Sequence, residues 1–288
     1  MVALADDLPL PQRRFSLATA IRRNPTIAFG AVLLFLLIAV AIVGPWFVGD
    51  PLKIAPVNRL RPPSERWWFG TDQFGRDLFT RTIYGSRVSL IVGLSVAAIS
   101  SVLGLALGLA CGYFRAIDGI VMRVMDGVMA IPSILLAIAL ITLTRPGLGI
   151  VIVAIVIPEV PRIVRVVRAV VLSIRSQPYI ESAIAGGTRN IKLMWRHVVP
   201  NTLAPLIVLA TAQLGSTILT EASLSFLGLG IPEPYPSWGR MLSESAAEYV
   251  RTAPWLVIFP GIAISLAVFG ANLFGDALRD ILDPRQRG

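Results

Sequence analysis

The chain contains apolar runs that are as long as a lipid bilayer is thick. Three runs qualify without further argument: residues 26–47, 88–114 and 252–275. A helix rises about 1.5 Å per residue and a hydrocarbon core is about 30 Å thick, so roughly 20 apolar residues span it. With 55% hydrophobic and 15% charged residues, the chain has more apolar surface than a soluble core can bury. We therefore expect an all-α, polytopic membrane protein.

Three further runs, residues 127–144, 146–158 and 201–220, bring the expected number of membrane-spanning helices to six. The run 146–158 is long enough only if its helix continues through Glu159 and Arg162 into a basic segment, where arginines reach the headgroups. The prediction of six spans divides the chain into five parts: an N-terminal arm (1–25), an anchor helix (26–48), an exterior segment (49–87), a core of five spanning helices (88–275) and a C-terminal tail (276–288). The core includes a cytosolic loop, residues 172–200.

The positive charges suggest how the chain is oriented. With six spans both termini lie on one side, and 16 of the 26 lysines and arginines fall on that side. The positive-inside rule therefore predicts cytosolic termini. Four arginines precede the first apolar run, as in a secretory signal, but that run is too long for a signal peptide and lacks a small-residue cleavage site. We expect a retained anchor, and the scattered basic residues form no nucleic-acid-binding stripe.

Several kinds of chemistry are excluded by the rarity of the residues they need. Cys111 is the only cysteine and His197 the only histidine, so an intrachain disulfide and a ligand-spaced zinc site are both excluded. A P-loop requires Gly-Lys-Ser/Thr, and neither Lys53 nor Lys192 follows a glycine. We therefore expect no enzyme activity and no cofactor in this chain, and any ATP chemistry must come from a partner.

Two acidic residues in the apolar regions require an interpretation. Glu159 lies near mid-membrane between Pro158 and Pro161, which are expected to bend the helix. It is a candidate pathway-lining residue, although an ion pair with Arg162, three residues on, is the favoured alternative. Glu221 lies about 31 Å along its helix from Pro200, which predicts a hydrated position at the far interface.

Glycines at every fourth residue mark one face of the second predicted span. Gly104, Gly108 and Gly112 expose backbone along this face and predict close approach of another helix.

The polar stretch 178–200 separates two spans and has a helical pattern of its own. Pro178 suits a first helical turn, and the small residues up to Ala185 predict a short helix. Gly186 and Gly187 predict a sharp bend, because glycine adopts positive φ without strain. A second helix follows, with an apolar face and a basic face: the apolar residues are Ile191, Met194, Trp195 and Val198, and the basic ones are Arg189, Lys192 and Arg196.

The spacing of Glu181, Ala183, Gly187 and Pro200 resembles the EAA loop of ABC-transporter permeases, with Ser182 where an alanine is usual. Residues 70–90, 221–242 and 272–285 resemble the C-type permease subunit of peptide and nickel ABC importers. Their sequences are GTDQFGRDLFTRTIYGSRVSL, EASLSFLGLGIPEPYPSWGRML and NLFGDALRDILDPR.

The resemblance implies a type I ABC importer permease fold in a bacterial inner membrane. It implies that the polar stretch 178–200 couples the chain to cytosolic ATPase subunits, which bind ATP and magnesium. The candidate coupling residues of this stretch are Glu181, Ser182, Ala183, Gly187, His197 and Pro200. It also implies a second, B-type permease, with the pathway between the two chains, and an external substrate-binding protein. The stiff segment that contains Pro234, Pro236 and Trp238 is the candidate contact for that binding protein, with Trp238 anchored in the membrane interface.

The substrate is left open by this resemblance. Di- or oligopeptides are expected, and nickel chelates or other small solutes are the alternatives within the family. A secondary transporter would show inverted repeats or ion-coupling carboxylates, and only Glu159 is a candidate for such a carboxylate. A membrane-embedded enzyme is also disfavoured, because no Ser/His/Asp set or paired carboxylates converge.

Overall fold

The structure is a computed structural model that describes residues 25–144, 147–232 and 234–282, and this part of the chain is built from helices with no β-strand. The predicted N-terminal arm and the last residues of the tail lie outside the described ranges. The helices are α1 (Pro25–Val43), α2 (Leu78–Tyr113), α3 (Arg115–Met129), α4 (Ser133–Thr142), α5 (Leu148–Arg175), α6 (Pro178–Ala185), α7 (Asn190–Phe226, π-helical at Met194–Val198), α8 (Trp238–Ala246) and α9 (Trp255–Leu282).

Four of these helices, α1, α2, α7 and α9, are long and apolar enough to cross a membrane. The helix α5, which corresponds to the predicted fourth span, has 28 residues, or about 42 Å, and continues without interruption through Pro158 and Pro161. The predicted third span, 127–144, is not one straight helix. It is divided between α3 and α4, which meet at 88°. Pro132 explains the break, because proline disfavours helical geometry at the residue before it and has no N–H to donate.

The ends of two helices differ from the predicted spans. The helix α2 begins at Leu78, ten residues before the predicted start of the span, because the Asp77 carboxylate accepts a hydrogen bond from the Thr80 N–H at 3.1 Å and caps the helix. The helix α9 continues beyond residue 275 to Leu282.

The predicted glycine face of α2 packs directly on α5. A Cβ atom added at Gly108 would lie 2.6 Å from Cβ of Val167, and one at Gly112 would lie 2.6 Å from Cβ of Val171. Gly104 meets Ile163 in the same way, one turn earlier on both helices. Any larger side chain would push the helices apart, so the spacing of four residues on α2 matches the spacing of four on α5.

The buried apolar residues form three clusters. One joins α1, α7, α8 and α9, with Leu37, Ile218, Met241 and Ala267 among its members. A second lies mainly between α2, α4 and α5. The third joins the last turns of α5 to α6 and the first turns of α7. The helices α2 and α7 both contribute to all three clusters.

The segment between α1 and α2 is held to α8 by buried charges. Asp72 pairs with Arg76 at 2.5 Å and with Arg81 at 3.6 Å, and both arginines also reach Glu244 of α8, at 3.1 and 3.5 Å. Arg240 of α8 pairs with Glu244 at 3.0 Å. These groups are largely withdrawn from water, so removal of one partner would leave an uncompensated buried charge.

Candidate functional site

The 178–200 segment forms the bent helical pair that its sequence predicts. The helix α6 spans Pro178–Ala185, and Gly187 has a φ of +77°. The N–H of Gly187 donates to the Ile184 carbonyl at 2.9 Å, and the N–H of Thr188 donates to the Ala183 carbonyl at 3.1 Å. These two bonds form a Schellman motif, which ends a helix with one left-handed residue. The positive φ is confirmed at Gly187, whereas Gly186 has an ordinary φ of −74°.

Buried apolar side chains attach this segment to the rest of the protein. Ile180 of α6 and both Leu193 and Val198 of α7 are fully buried in the cluster at the end of α5. Ala183 is half-buried and packs against the same cluster. The angle between α6 and α7 is therefore held by a packed contact as well as by the backbone at Gly187.

The opposite surface of the segment is exposed and mixed in character. Glu181 and Ser182 are exposed, and the Ser182 hydroxyl donates to the Pro178 carbonyl of its own helix at 2.9 Å. Ile191 and Trp195 keep 70% and 69% of their surfaces exposed. The predicted apolar face of the second helix is thus divided, because only the side bearing Met194 and Val198 meets the cluster. The exposed basic residues Arg189, Lys192 and Arg196 lie on the same two turns.

The two remaining predicted residues of the segment lie near its junction with the long part of α7. His197 is half-buried, and its ring centroid lies 6.0 Å from that of Tyr179 on α6. The Asn201 side-chain amide donates to the His197 carbonyl at 2.6 Å. Pro200 is exposed and lies in the first α-helical turn after the π-helical residues.

The helix α7 links the 178–200 segment to the opposite end of the molecule without interruption. It has 37 residues, or about 55 Å. The sequence predicts that the second helix of the 178–200 segment belongs to the cytosolic loop and that a spanning helix begins after it, at residue 201. The structure corrects this, because the π-helical residues Met194–Val198 join the two parts into one helix.

Glu221 lies near the far end of α7 and is fully buried, which corrects the hydrated position predicted from its distance along the helix. The Ser225 hydroxyl donates to Oε1 at 2.6 Å, and the Ser89 hydroxyl of α2 donates to Oε2 at 3.2 Å. The Ser237 hydroxyl lies near the same carboxyl group. The distance along the helix predicts the depth of this residue but not its neighbours, Ser89 of α2 and Ser237.

The predicted contact for the binding protein, Pro234, Pro236 and Trp238, is only partly exposed, which corrects the prediction that Trp238 lies in the membrane interface. Pro234 is exposed, as is Tyr235 at 61%. Pro236 and Trp238 are buried, and the Trp238 indole N–H donates to the Thr82 carbonyl at 2.8 Å. Trp238 therefore packs inside the chain and anchors nothing in a membrane interface, whereas Pro234 and Tyr235 are exposed at the surface.

Glu159 is half-buried on α5, where the positive charge of Arg162 attracts it, but within the described residues no ion pair within 4 Å joins the two side chains. The ion-pair interpretation is therefore not supported by the geometry.

Other charges of α5 are paired instead. Arg168 forms two bonds to Asp118 of α3, at 2.5 and 2.6 Å, and Arg165 reaches Asp126 at 2.6 Å. Sequence reasoning missed these pairs, although the charge complementarity of the two segments was a usable signal.

Comparison with known proteins agrees with this architecture. Residues 100–288 match the family described as binding-protein-dependent transport system inner membrane component. A probable peptide ABC transporter permease protein of Sinorhizobium fredii is 50% identical over 266 residues, covering 92% of this chain and 91% of that protein. A dipeptide transport system permease protein of Alkalihalophilus pseudofirmus is 44% identical, covering 93% and 88%. A probable D,D-dipeptide transport system permease protein of Escherichia coli is 40% identical, covering 97% and 95%.

A solved structure confirms the fold class. The methionine ABC transporter MetNI, in an inward-facing conformation, contains a chain that matches with a TM-score of 0.51 and 20% identity, covering 68% of this chain and 94% of that one. At this identity the likeness concerns the fold alone. Together with the family match over most of the chain, these findings establish that the protein belongs to the family of binding-protein-dependent transport system inner membrane components.

Proposed function

We propose that this chain is a permease subunit that forms, with a second permease, the translocation pathway of an ATP-driven peptide importer. The observation that carries the proposal is the 178–200 segment, a bent helical pair with an exposed outer surface, whose second helix is the start of the long helix α7. Such an element is suited to receive a movement from outside the chain and pass it through the fold.

The exposed surface of this segment favours a protein partner. Ile191 and Trp195 present apolar surface beside three basic side chains, a combination that fits an interface with an apolar centre and charged surroundings. We assign this surface, with Glu181 and Ser182, to contact with a cytosolic ATPase subunit. ATP and magnesium are bound on that partner, because neither lysine of this chain belongs to a P-loop sequence.

Peptides are the proposed substrate. The relatives compared above carry names that refer to peptides, dipeptides or D,D-dipeptides. Substrate is delivered in this proposal by an external binding protein that touches Pro234 and Tyr235, and Glu159 lines the pathway. The chain lies in the inner membrane with both termini and the 178–200 segment in the cytosol.

Purification of the tagged chain from its native membrane tests the proposal. We expect a second permease and ATPase subunits to purify with it, and no ATP hydrolysis by the chain alone. Substitution of Trp195 by alanine should reduce recovery of the ATPase subunits but not of the second permease, because it removes exposed apolar surface from the segment alone. Leu143→Ala, which changes a side chain that is 84% exposed elsewhere, is the matched control. ATP hydrolysis by the homogeneous chain would contradict the proposal.

A further inference from the structure

The buried carboxyl group of Glu221 accepts hydrogen bonds from two hydroxyl groups, those of Ser89 and Ser225, and the hydroxyl group of Ser237 lies near it. Ser89 belongs to α2, Ser225 belongs to α7 itself, and Ser237 is the residue that caps α8. Both Glu221 and Ser237 have no exposed surface. A single side chain thus joins two long helices and lies beside the start of a third.

No cation neutralises this carboxyl group. Within the described ranges no lysine, arginine or histidine lies within 4 Å of Glu221, and the charged groups of the neighbouring elements are directed elsewhere. Arg87 of α2 is exposed, and Arg81 and Arg240 both face Glu244. An ionised carboxylate that is fully buried without a cation is strongly disfavoured, whereas a protonated one can donate to one hydroxyl and accept from others.

The residues around the Glu221 site are packed too closely to move independently of α7. A Cβ atom added at Gly230 would lie 2.6 Å from Cα of Ser225, and one at Gly239 would lie 2.6 Å from Cα of Ala222. The segment 228–237 therefore lies between two close contacts with the last turns of α7. The same helix begins at Asn190 in the 178–200 segment, about 47 Å away from Glu221.

We propose that Glu221 is a protonated positioning residue whose neutral carboxyl fastens the far end of α7 to α2 and to the start of α8. Movement of the 178–200 segment is then carried by α7 to the outward-facing residues Pro234 and Tyr235. The part of this inference that concerns movement rests on the proposed transport function. The protonated state and the fastening role are properties of the chain itself.

Three variants of Glu221 test its protonated state, its fastening role and the transmission of movement separately. Glu221→Gln keeps the shape and the neutral state, Glu221→Asp shortens the side chain and withdraws the carboxyl from its partners, and Glu221→Ala removes the site. Glu248→Gln removes an exposed carboxylate on the same side of the chain and is the matched control. Each variant is studied in the assembled complex by infrared spectroscopy, by hydrogen exchange of residues 228–237, and by uptake of a labelled dipeptide.

We expect the wild-type infrared spectrum to contain a band of a protonated carboxylic acid that is absent in Glu221→Gln and present in Glu248→Gln. Glu221→Ala should raise the exchange rate of residues 228–237 by at least about tenfold, with exchange in the 178–200 segment unchanged. It should lower uptake by at least about tenfold. Glu221→Asp should raise the exchange rate and lower uptake by smaller factors than Glu221→Ala. Glu221→Gln should retain wild-type exchange and uptake.

Two results would overturn the inference. The first is a spectrum in which Glu221→Gln removes only carboxylate absorption, which would show an ionised group. The second is wild-type exchange of residues 228–237 in Glu221→Ala. If no variant, including the wild type, takes up peptide, the proposed function fails, and the spectra and exchange rates still decide the state and role of Glu221.

Discussion

Gly187 is the residue at which one substitution tests the backbone geometry of the 178–200 segment without disturbing its packing. Its φ of +77° lies in the left-handed region, and a Cβ atom added there would meet nothing within 4 Å. Valine at this position would therefore introduce backbone strain and no steric clash. The strain of a left-handed β-branched residue is about 1–3 kcal/mol.

A cost of that size acts directly on the bend between α6 and α7. About 1–3 kcal/mol corresponds to a 5- to 150-fold loss in the population of the bent geometry relative to other arrangements. Membrane insertion depends on the apolar spans, so we expect Gly187→Val to reach the membrane in normal amount. Substrate-stimulated ATP hydrolysis and uptake should fall together in reconstituted vesicles.

Two further substitutions make this experiment specific to the backbone. Gly186→Ala adds a Cβ atom at an ordinary φ of −74°, 3.4 Å from the Ser182 carbonyl oxygen, and should be close to wild type. Gly187→Asn should retain most of the activity, because asparagine adopts the left-handed region more readily than valine. Normal uptake by Gly187→Val would refute the reasoning and show that the segment is only a connection.

Other substitutions test the remaining contacts. A cysteine in place of Tyr235 should react with a membrane-impermeant reagent added outside, whereas one in place of Ser237 should not, because that residue is fully buried; reaction only from the inner face would contradict the orientation. Glu159→Gln and Arg162→Gln should both give normal amounts of assembled complex, since no ion pair joins the two residues, and only the first should alter substrate affinity; reduced yield of both would restore the ion pair. Glu244→Gln should lower stability in thermal denaturation in detergent by about 3 kcal/mol, because it leaves the buried Arg76 and Arg81 to share the single carboxylate of Asp72; an unchanged melting temperature would contradict that.

Features that depend on local sequence were predictable in this chain. The bend at Gly187 follows from two adjacent glycines after a short helix, because backbone conformation there is decided by the residues themselves. Gly104, Gly108 and Gly112 predict that another helix packs closely on this face of α2. The glycines do not specify which helix it is, and the structure identifies it as α5.

Features that depend on distant residues were not predictable. The position of Glu221 along α7 predicted contact with water. The side chain is buried instead, because Ser89 and Ser237, 132 and 16 positions away in the sequence, lie beside it in the fold. Trp238 was assigned to an interface because tryptophan favours such positions, but its indole fits against Gly85 and bonds to the Thr82 carbonyl. Both errors arise because residue type gives a preference, whereas tertiary packing decides what covers a side chain.

The most direct test of peptide import driven through the 178–200 segment is an uptake measurement in vesicles. Vesicles would contain this chain, the copurified permease and ATPases, with the binding protein outside and ATP on the cytosolic side. We predict that a labelled dipeptide accumulates with ATP and not with a non-hydrolysable analogue, and that Gly187→Val reduces accumulation at least about 5-fold while Gly186→Ala leaves it close to wild type. Accumulation of a nickel chelate in place of the dipeptide would contradict the peptide assignment, and accumulation of the dipeptide without ATP hydrolysis would contradict ATP-driven import itself.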